Sequence, residues 1–139
     1  MSDVTIKAII ATVFIVAGTG AFLTVMATMG RPGAAGDPGK LRKLHRIFGW
    51  IYVALLVPLV FLGLDFVKEM GDGMSTRAVF HMVLAETLIA LLLLKILVVR
   101  FFKGFMKNAP ALGMALFSLT LIIFLVTAGF YFLQTAAGK

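Results

Sequence analysis

The sequence predicts an all-α fold: an integral membrane four-helix bundle, one domain over residues 1–139, with both termini on the outer side. Three observations carry that expectation. Hydrophobic residues make up 61% of the chain, against roughly 45–50% in an ordinary soluble domain. Only 14% are charged, where about 25% is usual. The apolar residues are gathered into four long runs, and mean hydropathy reaches +1.07. A soluble domain this small has no interior large enough for so much apolar surface, which excludes a monomeric soluble enzyme. Disorder is excluded by the same excess of apolar side chains and shortage of charge.

Each run meets the roughly 20 apolar residues that a helix needs to cross a bilayer core of about 30 Å. The first, about residues 5–29, is broken only by Lys7. Its near-neutral start and its length beyond a signal-peptide core predict a retained span. The second, about 47–67, is uncharged up to Asp65 and carries Pro58 in its middle. The third, about 78–99, contains His81, Glu86 and Lys95. The fourth, about 111–133, has no charge at all, and Pro110 is well placed to open it. The connection 30–46 holds Pro32, Gly33, Gly36, Pro38 and Gly39, all turn residues.

Lysine and arginine set the orientation. The first connection carries Arg31, Lys40, Arg42, Lys43 and Arg46, and the third carries Arg100, Lys103 and Lys107. The opposite side has Lys7, Lys68, Arg77 and Lys139, diluted by Asp3, Asp65, Glu69 and Asp72. The positive-inside rule therefore puts connections one and three in the cytoplasm, in a bacterial inner membrane. Trp50 and Tyr52 are expected to form an aromatic belt on that side and Tyr131 an outer one. The net charge of +7 belongs to these loops and to lipid headgroups, so nucleic acid is not an expected partner.

Polar residues within the spans are the candidates for chemistry. His45 opens the second span and His81 lies one turn into the third. A histidine on a membrane helix can ligate haem iron or move protons. The plainer readings are an interfacial His45 among basic neighbours and a hydrogen-bonded His81 facing the bundle. Glu86 lies roughly 12 Å deep, where a carboxylate costs about 2.5–3.5 kcal/mol. It is either a proton or ion relay, or a neutral carboxyl hydrogen-bonded across helices. Pro58 leaves the Ala54 carbonyl without its helical donor at similar depth, so Ala54, Thr12 and Thr127 are the expected partners. Lys95 points away from Glu86 and is expected to snorkel to the cytoplasmic end.

The run His45-Arg46-Ile47-Phe48-Gly49 at the head of an apolar helix is similar to runs in small four-helix b-type cytochromes of the cytochrome b561 and ferric-reductase-like kind. Phe80-His81, opening a Leu-rich helix that ends Lys95-Ile96-Leu97-Val98-Val99-Arg100, resembles that class too. The likeness extends over residues 40–133. It implies helix histidines that bind b haem in pairs, and electron transfer across or into the membrane. The chain departs from the pattern, because its two histidines should lie about 25 Å apart along the membrane normal. His45 and His81 are therefore expected not to share one haem. Each is left with methionine partners: Met26, Met29, Met106 and Met114 for His45, Met70 and Met74 for His81. Haem shared with a partner subunit is an alternative, and so are methionines that are ordinary apolar filler.

The absence of cysteine excludes thiolate metal sites, iron–sulfur clusters and thiol catalysis. No phosphate-binding loop, Gly-x-Ser-x-Gly or His-Glu-x-x-His run is present. The expected function is a small membrane subunit of an electron-transfer system, with b haem as the candidate cofactor. The alternatives are a non-catalytic anchoring or assembly subunit without cofactor, then a small proton or ion carrier using Glu86. The expected partners are the bilayer and either another membrane or outer-side redox subunit or a second copy of the chain.

Overall fold

The computed structural model describes residues 3–30 and 36–138. Arg31, Pro32, Gly33 and Lys139, which entered the loop and charge arguments, lie outside the described residues. Helix α1 runs Asp3–Met29, α2 Pro38–Met70, α3 Thr76–Arg100 and α4 Ala109–Phe124. A π turn, Leu125–Gly129, carries α4 into α5, Phe130–Ala136. Four of these helical stretches are long and apolar enough to cross a membrane.

The main departure from expectation is at the start of α2. Pro38 and Gly39 were read as loop, yet the helix begins there, nine residues before the apolar run. Asp37 holds extended backbone and its Oδ1 accepts from the Gly39 amide at 2.9 Å. Pro38 follows in the first helical turn, where its missing N–H is no loss. Cap and proline together convert a turn signal into a start signal. The 33 residues of α2 extend about 50 Å, longer than the roughly 30 Å of a bilayer core.

Helix α1 packs along α2 and against α4, and α4 packs against α3, while the α2 and α3 backbones stand further apart with an apolar groove between their side chains. The bundle core gathers Phe14 and Ala17 of α1, Tyr52 of α2, Leu88 of α3 and Leu116 of α4. Close approach of α1 to α2 depends on glycine. A β-carbon on Gly18 would lie 3.2 Å from the Tyr52 ring, and one on Gly20 would lie 2.8 Å from Phe48.

At the end of the bundle bearing the chain termini, Tyr131 Oη and Thr5 Oγ1 lie 3.2 Å apart. The Arg77 guanidinium sits 4.2 Å over the Phe130 ring there. In the π turn the Phe130 amide donates to the Leu125 carbonyl, five residues back. Gly129 suits that wider turn, since its β-carbon would crowd the Phe124 carbonyl at 3.3 Å.

Tyr52 corrects one expectation. It is not in an interfacial belt but only 8% exposed, stacked on Phe14 with ring centroids 4.2 Å apart. Its hydroxyl finds Thr120 inside the bundle, so the polar tip needs no headgroup region. Trp50, 61% exposed, keeps the outward position. Tyr131 is half-buried.

Candidate functional site

Between the helices, at the end that carries connections one and three, lies a cavity of about 1000 Å³. It is lined by the second half of α1, the first half of α2, the last turns of α3 and the first half of α4. Its inner end is the Tyr52–Thr120 pair. The Thr120 hydroxyl donates to the Leu116 carbonyl at 2.7 Å, so at 2.6 Å it is the Tyr52 O–H that donates to Thr120 Oγ1. Phe22 and Phe117, stacked at 4.3 Å between centroids, also line the cavity.

His45 lines this cavity from the second turn of α2. Its Nδ1 lies 2.8 Å from the Ala21 carbonyl oxygen of α1. A carbonyl only accepts, so Nδ1 carries a proton and donates, which leaves Nε2 as the ring nitrogen that could act as a ligand. Nε2 has no protein partner among the described residues. A backbone carbonyl that fixes one imidazole nitrogen and frees the other is the arrangement that orients metal-binding histidines.

Four cations share the lining with His45: Arg42, Arg46, Lys95 and Arg100. No acidic residue lines it among the described residues. Lys95 faces the cavity. It is half-buried, and its Nζ would be 3.0 Å from a β-carbon on Gly113, one turn inside α4. The missing side chain of Gly113 leaves room for the ammonium within the cavity. Gly49, one turn beyond His45, lines the cavity with no atom within 4 Å of where its β-carbon would stand. The thioethers of Met26, Met106 and Met114 are in the same lining, whereas Met29 is not.

His81 is placed elsewhere. It is on the bundle side of α3, and its buried Nδ1 has no hydrogen-bond partner. About 16 Å of helix separates it from Leu92, where α3 enters the cavity lining. His45 and His81 do not come together, nor does any group of three metal-ligating side chains form among the described residues.

Glu86 overturns the expected cross-helix bond. It is exposed on the outside of α3, and no hydrogen bond joins it to Ala54, Thr12 or Thr127 among the described residues. Thr12 and Thr127 instead donate to their own helices, to the carbonyls of Ala8 and Ile123 at 2.8 and 2.7 Å. The sequence argument matched depth but not helix rotation, and rotation decides which face a side chain occupies. Glu86 and Lys95 do point to different sides of α3, as expected.

The Tyr52–Thr120 pair, the Phe22–Phe117 stack and the openings at Gly49 and Gly113 were not anticipated. Only Gly49 carried a sequence signal, four residues after His45 and so on the same helix face.

The model of a family of unknown function, DUF6529, matches residues 1–138, and the chain belongs to that family. No curated protein and no solved structure matches the chain.

Proposed function

We propose that this chain is an integral membrane subunit of an electron-transfer system that holds one b haem in the cavity beside His45. The observation that carries the reading is the His45 ring. Its Nδ1 proton is engaged by the Ala21 carbonyl, and its Nε2 is unengaged in a large cavity with a gap at Gly49. Haem bound there supplies a one-electron redox centre.

The remaining lining fits the same ligand. Arg42, Arg46, Lys95 and Arg100 place positive charge where a macrocycle's carboxylates need it. Phe22, Phe117 and Trp50 offer flat apolar surface. Met106 and Met114 of the α4 side, and Met26 of α1, line the same cavity and would offer a thioether as second ligand. The similarity of His45–Gly49 to b-type cytochrome runs supports the assignment. The cationic end is assigned to the cytoplasmic face of a bacterial inner membrane and the termini to the outer face, from the lysine and arginine asymmetry. A redox subunit in or on that membrane completes the system.

The test is the visible spectrum of the full chain purified from haem-sufficient cells. Reduction should give sharp b-type bands. His45→Ala should abolish them, and Gly49→Leu should abolish them by filling the gap while helicity and monodispersity are retained. His81→Ala should leave them in place. A folded protein without haem absorbance, or bands that survive His45→Ala, refutes the reading and leaves a cofactor-free anchoring subunit.

A further inference from the structure

The outward face of α3 carries a feature that the cavity does not use. Val79, Val83, Glu86, Ala90, Leu93 and Leu97 are all exposed. Their spacing alternates four and three residues, which at 100° per residue keeps them in one stripe along the helix. Leu88, 2% exposed, is on the diametrically opposite side, in the bundle core. The stripe therefore lies on the outer side of α3, with Leu93 at its edge beside the groove shared with α2. It is a seven-residue repeat over nearly three heptads, the pattern of a helix-pairing seam.

Glu86 stands at the middle of this seam, about 15 Å from the start of α3 and so near mid-membrane. No hydrogen bond or ion pair receives its carboxyl among the described residues. A carboxyl left against hydrocarbon is costly, and membrane proteins place such groups against a polar partner. Ala90, one turn away on the same stripe, is small enough to let a second backbone come close.

We propose that this face pairs with the same face of a second copy of the chain, with the two Glu86 carboxyls hydrogen-bonded to each other at the seam. Symmetry selects this occupant. Two copies inserted in the same direction are related by a two-fold axis along the membrane normal, so each residue on the seam meets its own counterpart at its own depth. A carboxylic acid group both donates and accepts, and is complementary to itself. Any other partner has to bring a matching polar group to that one depth. A single polar residue at a seam position also fixes register, because a shift by one heptad would leave both carboxyls unpaired. An apolar groove of about 280 Å³ runs beside the stripe between α2 and α3, bordered by Val57, Phe61, Ile89 and Leu93. It offers a seat for side chains of the second copy. The inference stands apart from the cavity reading.

The chain has no cysteine, so single-cysteine variants report cleanly. The full-length protein in phosphatidylcholine–phosphatidylglycerol vesicles is oxidised with Val83→Cys, Ala90→Cys or, on the exposed face of α1, Val16→Cys. Disulfide-linked dimers should form at Val83 and Ala90 and not at Val16. Energy-transfer dilution in the same vesicles then measures dissociation. Glu86→Ala should weaken the dimer at least about 3-fold, the effect of one average interhelical hydrogen bond in a membrane. Glu86→Gln should stay within about 2-fold of the parent, since amides also pair with each other. Equal cross-linking at Val16, absence of cross-linking at Val83 and Ala90, or unchanged dissociation in Glu86→Ala overturns the proposal. Glu86 is exposed and makes no hydrogen bond or ion pair among the described residues, so these variants should leave the fold of the single chain unchanged.

Discussion

Tyr52 joins α2 to both α1 and α4, and substitution there separates its packing from its hydrogen bond. Tyr52→Phe removes only the hydroxyl that donates to Thr120 Oγ1 at 2.6 Å. Thr120 keeps its own donation to Leu116, so what is left behind is an unfilled acceptor lone pair rather than a stranded donor. Interhelical hydrogen bonds in membranes average about 0.6 kcal/mol, with a maximum near 1.7 kcal/mol. Tyr52→Ala removes in addition the ring that stacks on Phe14 at 4.2 Å and fills the space above Gly18. Loss of a large buried ring costs about 3–5 kcal/mol. Thr120→Val is the opposite case, because it strands the Tyr52 O–H, a buried donor worth about 1–3 kcal/mol when unpaired. The expected order of destabilisation is therefore Tyr52→Ala, then Thr120→Val, then Tyr52→Phe. Reversible unfolding in bicelles, read by steric trapping, measures all three. Tyr52→Phe costing as much as Tyr52→Ala would refute packing as the main contribution of this residue.

Four further outcomes follow. Cysteines at Asn108 and Asp72 should divide in an intact-cell labelling assay with an impermeant thiol reagent: Asp72→Cys reacts and Asn108→Cys is shielded, while the reverse pattern inverts the orientation. Asp37→Ala removes the side chain that accepts from the Gly39 amide and should cost about 0.5–2 kcal/mol, visible as faster amide exchange in the first turn of α2. Gly20→Ala brings a β-carbon to 2.8 Å from the Phe48 ring and should destabilise by about 1–3 kcal/mol as that ring is displaced. Gly63→Ala meets nothing within 4 Å and should instead gain about 0.5–1 kcal/mol of helix propensity, both read as shifts in the unfolding midpoint.

Segment identity was legible because it depends on sums. Twenty apolar residues make a span whichever way each one faces, and the four helices stand where the four runs stand. The start of α2 was not legible from hydropathy, since residues 38–46 are polar; it follows from the Asp37 cap and Pro38. Rotational detail was the harder loss. A helix apolar on all sides has no amphipathic stripe from which to read its inner face. Tyr52 therefore looked interfacial and proves to be core, while Glu86 looked inward and proves to face out. His45 was legible as a candidate from its neighbours. What makes it chemically interesting, the Ala21 carbonyl on its Nδ1, comes from a residue 24 positions earlier on another helix. Main-chain atoms leave no trace in side-chain patterns.

The π turn between α4 and α5 has a consequence for how insertions and deletions are tolerated in the last span. One turn there holds an extra residue, so the helix before Leu125 and the helix after Gly129 are written in two reading frames of the same screw. Removing any one of those five residues would close the wide turn to an ordinary α turn and leave what lies beyond at nearly the same rotation, whereas a deletion elsewhere in the helix would swing it by about 100° relative to what precedes it. Tyr131 would then leave Thr5, and Phe130 would leave the Arg77 guanidinium. The wide turn acts as a phase joint, letting one continuous helix satisfy the cavity at one end and α1 and α3 at the other.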